Sequence, residues 1–408
     1  MDLKIALLTI GTELTEGIVK DTNSYYLSKE LFENGYSVTK HVSVPDSLEA
    51  IVKEIKQLVT EFHIIIATGG LGPTQDDLTR EAISKAYGKE LEISTKYYEI
   101  AKENHPKNGA KRLASFPKDA QLIEPGQYGA AGFLLKENQK IIISLPGVPK
   151  ELEMMLKKSV LKIISEFEKG LGQPKEFIRR RIFKFVNLRE TQIEEKLKLI
   201  DGKLNYGILP KLGEVHLYLS VKSENESETQ SRLEQLDERV EELFNDNLFA
   251  KDDETLEQVI VRDLSSKKLL LSVAESSTGG LIGHRITNVK DSSIIFPGGF
   301  IAYSNELKEE IGVNKEVMVS KGAVSKEVAA QMAEATLKMT KSDISVSVTG
   351  IAGPTGATKE KPLGLHYIGL AKKGKETKVK KFVFRGDREQ NQLLASQEAL
   401  VMVRESYL

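Results

Sequence analysis

The chain contains no cysteine. That absence excludes disulfides, thiol nucleophiles and cysteine-built zinc sites. Histidine is scarce too. His41, His63, His105, His216, His284 and His366 are scattered, and no two stand at a ligand spacing, so no histidine zinc site follows. An excess of either charge is also missing. Lys plus Arg number 58 against 59 Asp plus Glu, giving a formal net charge of −1. Proteins dedicated to duplex DNA carry surplus positive charge that displaces counterions, so this balance argues against direct nucleic-acid binding. No apolar run approaches the roughly 18 residues of a membrane span. The opening segment, MDLKIALLTIGTEL, lacks the basic head, long apolar core and small-residue cleavage site of a signal peptide. These absences predict a cytoplasmic protein with no membrane partner.

What is present is enough apolar residue to build cores. Of 408 residues, 40% are apolar and 29% charged. At roughly 100–200 residues per domain, the length predicts two to four domains. The first 170 residues alternate strand and helix patterns. Lys4 to Ile10 is a short apolar run closed by Gly11. Asp21 to Glu33 has helical spacing. Ile64-Ile65-Ile66 breaks at Thr68-Gly69-Gly70, and Ile141-Ile142-Ile143 breaks at Pro146-Gly147. Apolar runs that end in loops are the mark of buried parallel strands, and ligands bind at the carboxyl ends of such strands. The three loops are therefore expected on one edge.

A boundary is expected around Gly170 to Pro174. Beyond it, Arg179 to Phe185 alternates, Glu190 to Ile200 looks helical, and Val215, Leu217, Leu219 and Val221 alternate with polar residues as a half-buried strand. A helical stripe at Leu233, Leu236, Val240, Leu243 and Phe244 completes a βαββα pattern, a small α+β module. Arg179-Arg180-Arg181 reads either as a phosphate contact or as a solvated strand edge, and the edge is the better account. From Asp252 onward the pattern is α/β again. Helix Thr255 to Leu264 precedes strands at Leu269 to Ala274 and Ile344 to Val348, then a hairpin of Leu365 to Ala371 with Val379 to Phe384.

Four motifs could carry chemistry. A-E-S-S-T-G-G at 274–280 places hydroxyls and glycines between a strand and a helix, where free backbone N–H groups can hold a phosphate or an oxyanion. The plainer reading is a helix cap. A-Y-S-N-E-L-K at 302–308 contains a lysine that desolvation could turn into a base. S-V-T-G-I-A-G-P at 347–354 ends a strand in small residues that let ligand and backbone approach closely. A-T-G-G-L-G-P-T-Q-D-D-L-T-R at 67–80 joins a glycine loop to Thr74, Asp76 and Asp77, hard oxygen ligands suited to Mg²⁺. Gly369 to Lys375 imitates a P-loop, but Glu376 stands where Ser or Thr is required, and a lysine-rich hairpin turn accounts for it better.

In this order the motifs resemble the CinA (competence/damage-inducible) family. The N-terminal likeness rests on G-T-E-L at 11–14, D-T-N at 21–23, the loop at 68–80 and L-P-G-V-P-K-E at 145–151. The middle part is similar through G-E-V-H-L at 213–217. The C-terminal part is similar through A-E-S-S-T-G-G, Y-S-N-E-L-K, G-A-V-S at 322–325, T-G-I-A-G-P and G-D-R at 386–388. At 124–133 the chain departs from the family pattern. It has E-P-G-Q-Y-G-A-A-G-F where an Asn followed by G-T-A-P-G-F is common.

The resemblance implies an α/β architecture in three parts. These are a molybdopterin-binding-like domain over 1–170, a KH-type module over 174–250 and a nicotinamide-nucleotide amidase domain over 253–408. It implies a bifunctional hydrolase of the pyridine nucleotide cycle. One activity would deamidate nicotinamide mononucleotide without any cofactor, with Ser276 as nucleophile, Tyr303 and Lys308 activating it, and Thr278, Gly279, Thr349, Gly350 and Arg388 holding substrate. The other would hydrolyse ADP-ribose with a divalent metal ion such as Mg²⁺. Its nucleotide residues would be Glu13, Asp46, Gly69, Gly70, Gly72, Thr74, Asp77, Ser144 and Gly147, with Asp76 and Asp77 at the metal. A homodimer is implied as well. Two other readings stay open: a molybdopterin-binding protein of cofactor biosynthesis, and a non-enzymatic partner in competence or DNA repair.

Overall fold

The computed structural model describes residues 3–125, 129–172, 176–200 and 202–408. Pro174, at the expected boundary, and Gly126, Gln127 and Tyr128 of the departing loop lie outside them. Contacts divide the chain into two compact units, Met1–Arg179 with Val221–Leu233, and Arg180–Ser220 with Glu234–Leu408. Most of the middle segment thus packs with the C-terminal residues.

The first unit is built on strands β1 (Ile5–Ile10), β2 (Val38–Val44) and β3 (Ile64–Thr68), then β4 (Leu91–Ile93) and β5 (Ser115–Pro117), then β6 (Gln121–Ile123), β7 (Gly132–Glu137) and β8 (Lys140–Leu145). The main sheet runs β2-β1-β3-β8-β7-β6, while β4 and β5 form a separate ribbon. β1 pairs in parallel with β2 and β3, and β3 with β8. Both faces of β1, β3 and β8 are covered, which is why these three read as unbroken apolar runs. Ala6 and Leu8 enter one core while Ile5 and Leu7 enter the other. The loops after β1, β3 and β8 share one edge, as the sequence pattern requires.

The second unit holds the C-terminal sheet and most of the middle one. The middle one is made of β9 (Phe177–Phe185), β10 (Asn205–Lys211), β11 (Glu214–Ser223) and β12 (Leu248–Lys251), in the order β10-β11-β9-β12. The C-terminal one comprises β13 (Leu271–Glu275), β14 (Gly298–Ile301), β15 (Ile344–Gly350), β16 (Leu365–Lys372) and β17 (Lys378–Val383), ordered β14-β13-β15-β16-β17. β13, β14 and β15 are parallel, and β16 and β17 close the sheet as an antiparallel hairpin. The carboxyl ends of β13, β14, β15 and β17 therefore lie on one edge. The P-loop imitation is the β16–β17 turn, with Gly374 at positive φ. The C-terminal helix, Arg388–Glu405, packs under this sheet. Ala395, Ala399, Leu400 and Val403 join Val346, Val348 and Ile368 in its core.

Candidate functional site

The C-terminal edge gathers four of the quoted motifs. Ser276 follows β13 directly and is buried, and its N–H donates to the Val348 carbonyl at 3.0 Å. The next helix, Leu281–Thr287, does not offer a free N-terminus as the motif suggested. The buried Glu275 carboxylate accepts from the N–H groups of Gly280 (3.1 Å), Ile282 (3.1 Å) and Gly283 (2.8 Å). A carboxylate at a helix start is held by both hydrogen bonds and the helix dipole. The loop donors left without a partner among the described residues are the Ser277 and Thr278 amides. The Ser277 and Thr278 hydroxyls are buried and unpartnered as well. Gly279 and Gly280 take positive φ, so the chain can turn sharply between strand and helix.

Lys308 lies in the short helix after β14 and is only 2% exposed. Its ammonium donates to three carbonyls, those of Ala302 (2.8 Å), Tyr303 (3.0 Å) and Ser304 (3.4 Å). Burial lowers its pKa from the ordinary lysine value to about 8, with Glu306 opposing weakly. Tyr303 is 62% exposed on the rim. Its hydroxyl accepts from Arg388 Nη2 at 3.2 Å, and Arg388 Nη1 donates to the Gly353 carbonyl at 2.7 Å. Tyr303 and Arg388 therefore meet directly. Among the described residues, neither Tyr303 nor Lys308 is hydrogen-bonded to Ser276. Thr349 is buried and its hydroxyl donates to the Ala323 carbonyl at 2.9 Å. Gly350 must lack a side chain because the His366 ring lies where a Cβ would point.

Three residues that tie these loops together were not anticipated. Glu275 stood inside its motif but read as a strand end. Asn391 donates to the Ala352 carbonyl at 3.0 Å and Gln392 to the Ser277 carbonyl at 2.7 Å. Both lie in the C-terminal helix, where an amide side chain gives no periodic signal. A pocket of about 360 Å³ lies between this helix and the Ser276 loop, lined by Thr278, Gly279, Gly280, His284 and Gln392.

The N-terminal edge gathers the rest. Asp77 organises its own loop, accepting from Gly72 N–H (2.7 Å), Thr74 N–H (2.8 Å) and the Thr74 hydroxyl (2.5 Å). Gly72 faces that carboxylate, and Gly69 sits against the Ile10 carbonyl at positive φ, so neither tolerates a Cβ. Gly70 faces the Thr79 hydroxyl in the same way. Asp46 accepts from Thr12 N–H at 2.8 Å, and the Glu13 carboxylate lies over Gly11. Asn23 of the D-T-N motif clasps two loops, donating to Thr68 Oγ1 (3.2 Å) and to the Gly147 carbonyl (2.8 Å). Ser144 is buried within β8 with an unpartnered hydroxyl.

Asp76 is exposed, and a hydrogen bond from Thr74 holds its pKa below the usual carboxylate range. Among the described residues no group of three or more His, Cys, Asp or Glu side chains could hold a metal ion. With the Asp77 oxygens already bonded to Gly72 and Thr74, the loop does not fit a protein-built metal cage. Arg80 is buried over the Phe116 ring, 5.3 Å from its centroid, with Nε and Nη2 unpartnered and its pKa lowered by burial to about 10. A pocket of about 590 Å³ flanks the loop, lined by Thr74, Gln75, Glu81, Asn108, Lys111 and Arg112.

Comparison with known proteins follows the same division. Residues 253–407 match the model described as "CinA C-terminal domain", 6–166 the "Probable molybdopterin binding domain", and 180–250 the "Damage-inducible protein CinA KH domain". A CinA-like protein of Dictyoglomus thermophilum is 37% identical over 416 aligned positions, covering 100% of each chain. A CinA-like protein of Kosmotoga olearia is 35% identical, covering 100% of this chain and 99% of its own. Among solved structures, the competence/damage inducible protein CihA of Agrobacterium tumefaciens is 35% identical. It covers 36% of this chain and 90% of its own, at a TM-score of 0.36.

Proposed function

The chain belongs to the CinA family, and from that premise we propose that its C-terminal domain is a serine amidase that converts nicotinamide mononucleotide to nicotinate mononucleotide and ammonia. The observation that carries this reading is the convergence of a buried serine, a buried lysine of depressed pKa and a Tyr303–Arg388 pair on one sheet edge. Ser276 Oγ attacks the carboxamide carbon and its proton passes to Lys308, which surrenders one of its three carbonyl bonds as substrate enters. Hydrogen bonds at a reacting centre often tighten only in the loaded complex. The Ser277 and Thr278 amides take the developing oxyanion. Lys308 returns the serine proton to the amide nitrogen as the C–N bond breaks and ammonia leaves. Water, giving its proton to Lys308, then cleaves the acyl-serine ester to the acid, and Ser276 Oγ is reprotonated from Lys308. Arg388 holds the nucleotide phosphate from the rim, where Tyr303 orients it. Neither metal nor histidine takes part.

Ammonia release from nicotinamide mononucleotide tests the reading. Ser276→Ala should lose about 10³-fold or more in kcat, since the nucleophile cannot be replaced by water in place. Equal rates in the two proteins would sink it.

The N-terminal glycine loop supports a second part of the proposal, hydrolysis of the pyrophosphate bond of ADP-ribose. Asp77 braces its backbone, and Lys111, Arg112 (facing Glu81 at 3.6 Å) and Arg80, whose Nε and Nη2 lack hydrogen-bond partners, supply positive charge in the segments that follow. A divalent ion, if the reaction uses one, would lean on substrate phosphates and water, as Mg²⁺ commonly does. The family reading also carries a homodimer and a cytoplasmic location; light scattering and cell fractionation test these.

A further inference from the structure

The C-terminal helix reaches from the proposed active site into the middle module. Its first turns hold the site loops through Arg388, Asn391 and Gln392. One turn further on, Ser396 and Gln397 accept from Arg285, at 2.8 Å from Nη1 and 2.6 Å from Nη2. Arg285 belongs to Leu281–Thr287, the helix that continues the Ser276 loop, and its Nε also bonds Glu257 at 2.5 Å. Gln397 in turn donates to Glu214 Oε2 of the middle module at 3.4 Å. Glu214 Oε1 and His216 Nε2 lie 2.6 Å apart. Gly213 takes φ +79, and a Cβ there would stand 2.6 Å from Gln397 Cγ, so the module's turn is shaped to the glutamine. Gln397 and His216 are 5% and 4% exposed and the Glu214 side chain 21%, so these bonds are partly shielded from water.

We propose that Glu214 is a positioning residue of the C-terminal site, acting through Gln397 and Arg285 on the helix that fixes the Ser276 loop. The middle module is then a structural part of that site. The inference rests on the amidase reading for its kinetic consequence and on the geometry alone for its structural one. Buried polar networks lock side-chain positions when every member is satisfied, and small misplacements of a nucleophile cost catalysis steeply.

The test compares Glu214→Ala, Glu214→Gln and Lys380→Ala in the full chain. Lys380 pairs with Glu405 on the exposed end of the same helix. Two readouts are taken: amide hydrogen exchange over 276–287, and ammonia release from nicotinamide mononucleotide. Glu214→Ala is expected to speed exchange in that segment about fivefold or more and to lower kcat about tenfold with KM within twofold. Glu214→Gln keeps an acceptor for Gln397 and should recover most of both effects, while Lys380→Ala should change neither. Unchanged exchange in Glu214→Ala overturns the inference. So does faster exchange over the whole chain that Glu214→Gln does not restore, since that marks general destabilisation. If wild type releases no ammonia, the amidase reading fails, and the exchange data alone decide the positioning role.

Discussion

Lys308 is a cation held where water does not reach. Its three carbonyl partners suit an ammonium, yet burial pulls its pKa down to about 8. Two pH effects follow. A base must be neutral to act, so kcat/KM for ammonia release should rise with pH and level off above about 8. Lys308→Met should abolish that step. Stability moves in the same direction. Between about 8 and the ordinary lysine value the unfolded chain binds the extra proton, so unfolding free energy gains with rising pH. Chemical denaturation of wild type against Lys308→Met across this window reads the difference. Asp77 makes a second residue-scale case. Asp77→Asn keeps one oxygen acceptor but turns an NH₂ toward donors that need an acceptor. The loop should lose about 1–3 kcal/mol, and nucleotide binding at that edge should weaken, as calorimetric titration with ADP-ribose would show.

Among the elements, β14 shows why parts of the fold escaped a reading of sequence. The triple-isoleucine strands β3 and β8 were plain, because burial on both faces leaves an unbroken apolar run. Two helices also begin where the spacing put them, with Asp21 accepting from Ser24 N–H and Thr255 forming a capping box with Gln258. But β14 is Gly-Gly-Phe-Ile after a proline, a pattern that reads as a turn. Its glycine is dictated by a neighbour rather than by a bend. Gly299 lies so close to the Val273 carbonyl of β13 that a Cβ would overlap it. β2 hid for another reason: as Val-Thr-Lys-His-Val-Ser-Val on the sheet edge, it exposes Thr39, His41 and Ser43 along one face and leaves its other face only half-buried. In the candidate site, the hydroxyls and glycines were legible. The Glu275 clamp and the amide ties from Asn391 and Gln392 were not, because they depend on which strands become neighbours. Gly299→Ala should displace β14 from β13, lowering stability by about 1–3 kcal/mol. Because Lys308 follows that strand, it should lower amidase activity as well. Thermal unfolding and ammonia release check the two halves of that expectation.

At the scale of the whole molecule, charge is balanced and its conspicuous basic cluster is spent internally. Arg179 pairs with Glu226, Arg181 with Asp237 and Asp252, and Arg180 stands over the Tyr218 ring. Neutralised guanidinium groups displace few counterions. Binding to duplex DNA should therefore be weak and nearly flat against salt; a steep salt slope in fluorescence anisotropy would contradict this. No helix among the described residues is long and apolar enough to cross a membrane. The C-terminal helix has a further consequence. Gripped near Arg388 and again near Arg404, it is a shaft whose two ends are locked in phase. One residue inserted between Gln392 and Ser396 would turn the far end by about 100° and advance it about 1.5 Å. Substitutions away from these contacts can be absorbed along such a shaft, but a change in its length cannot.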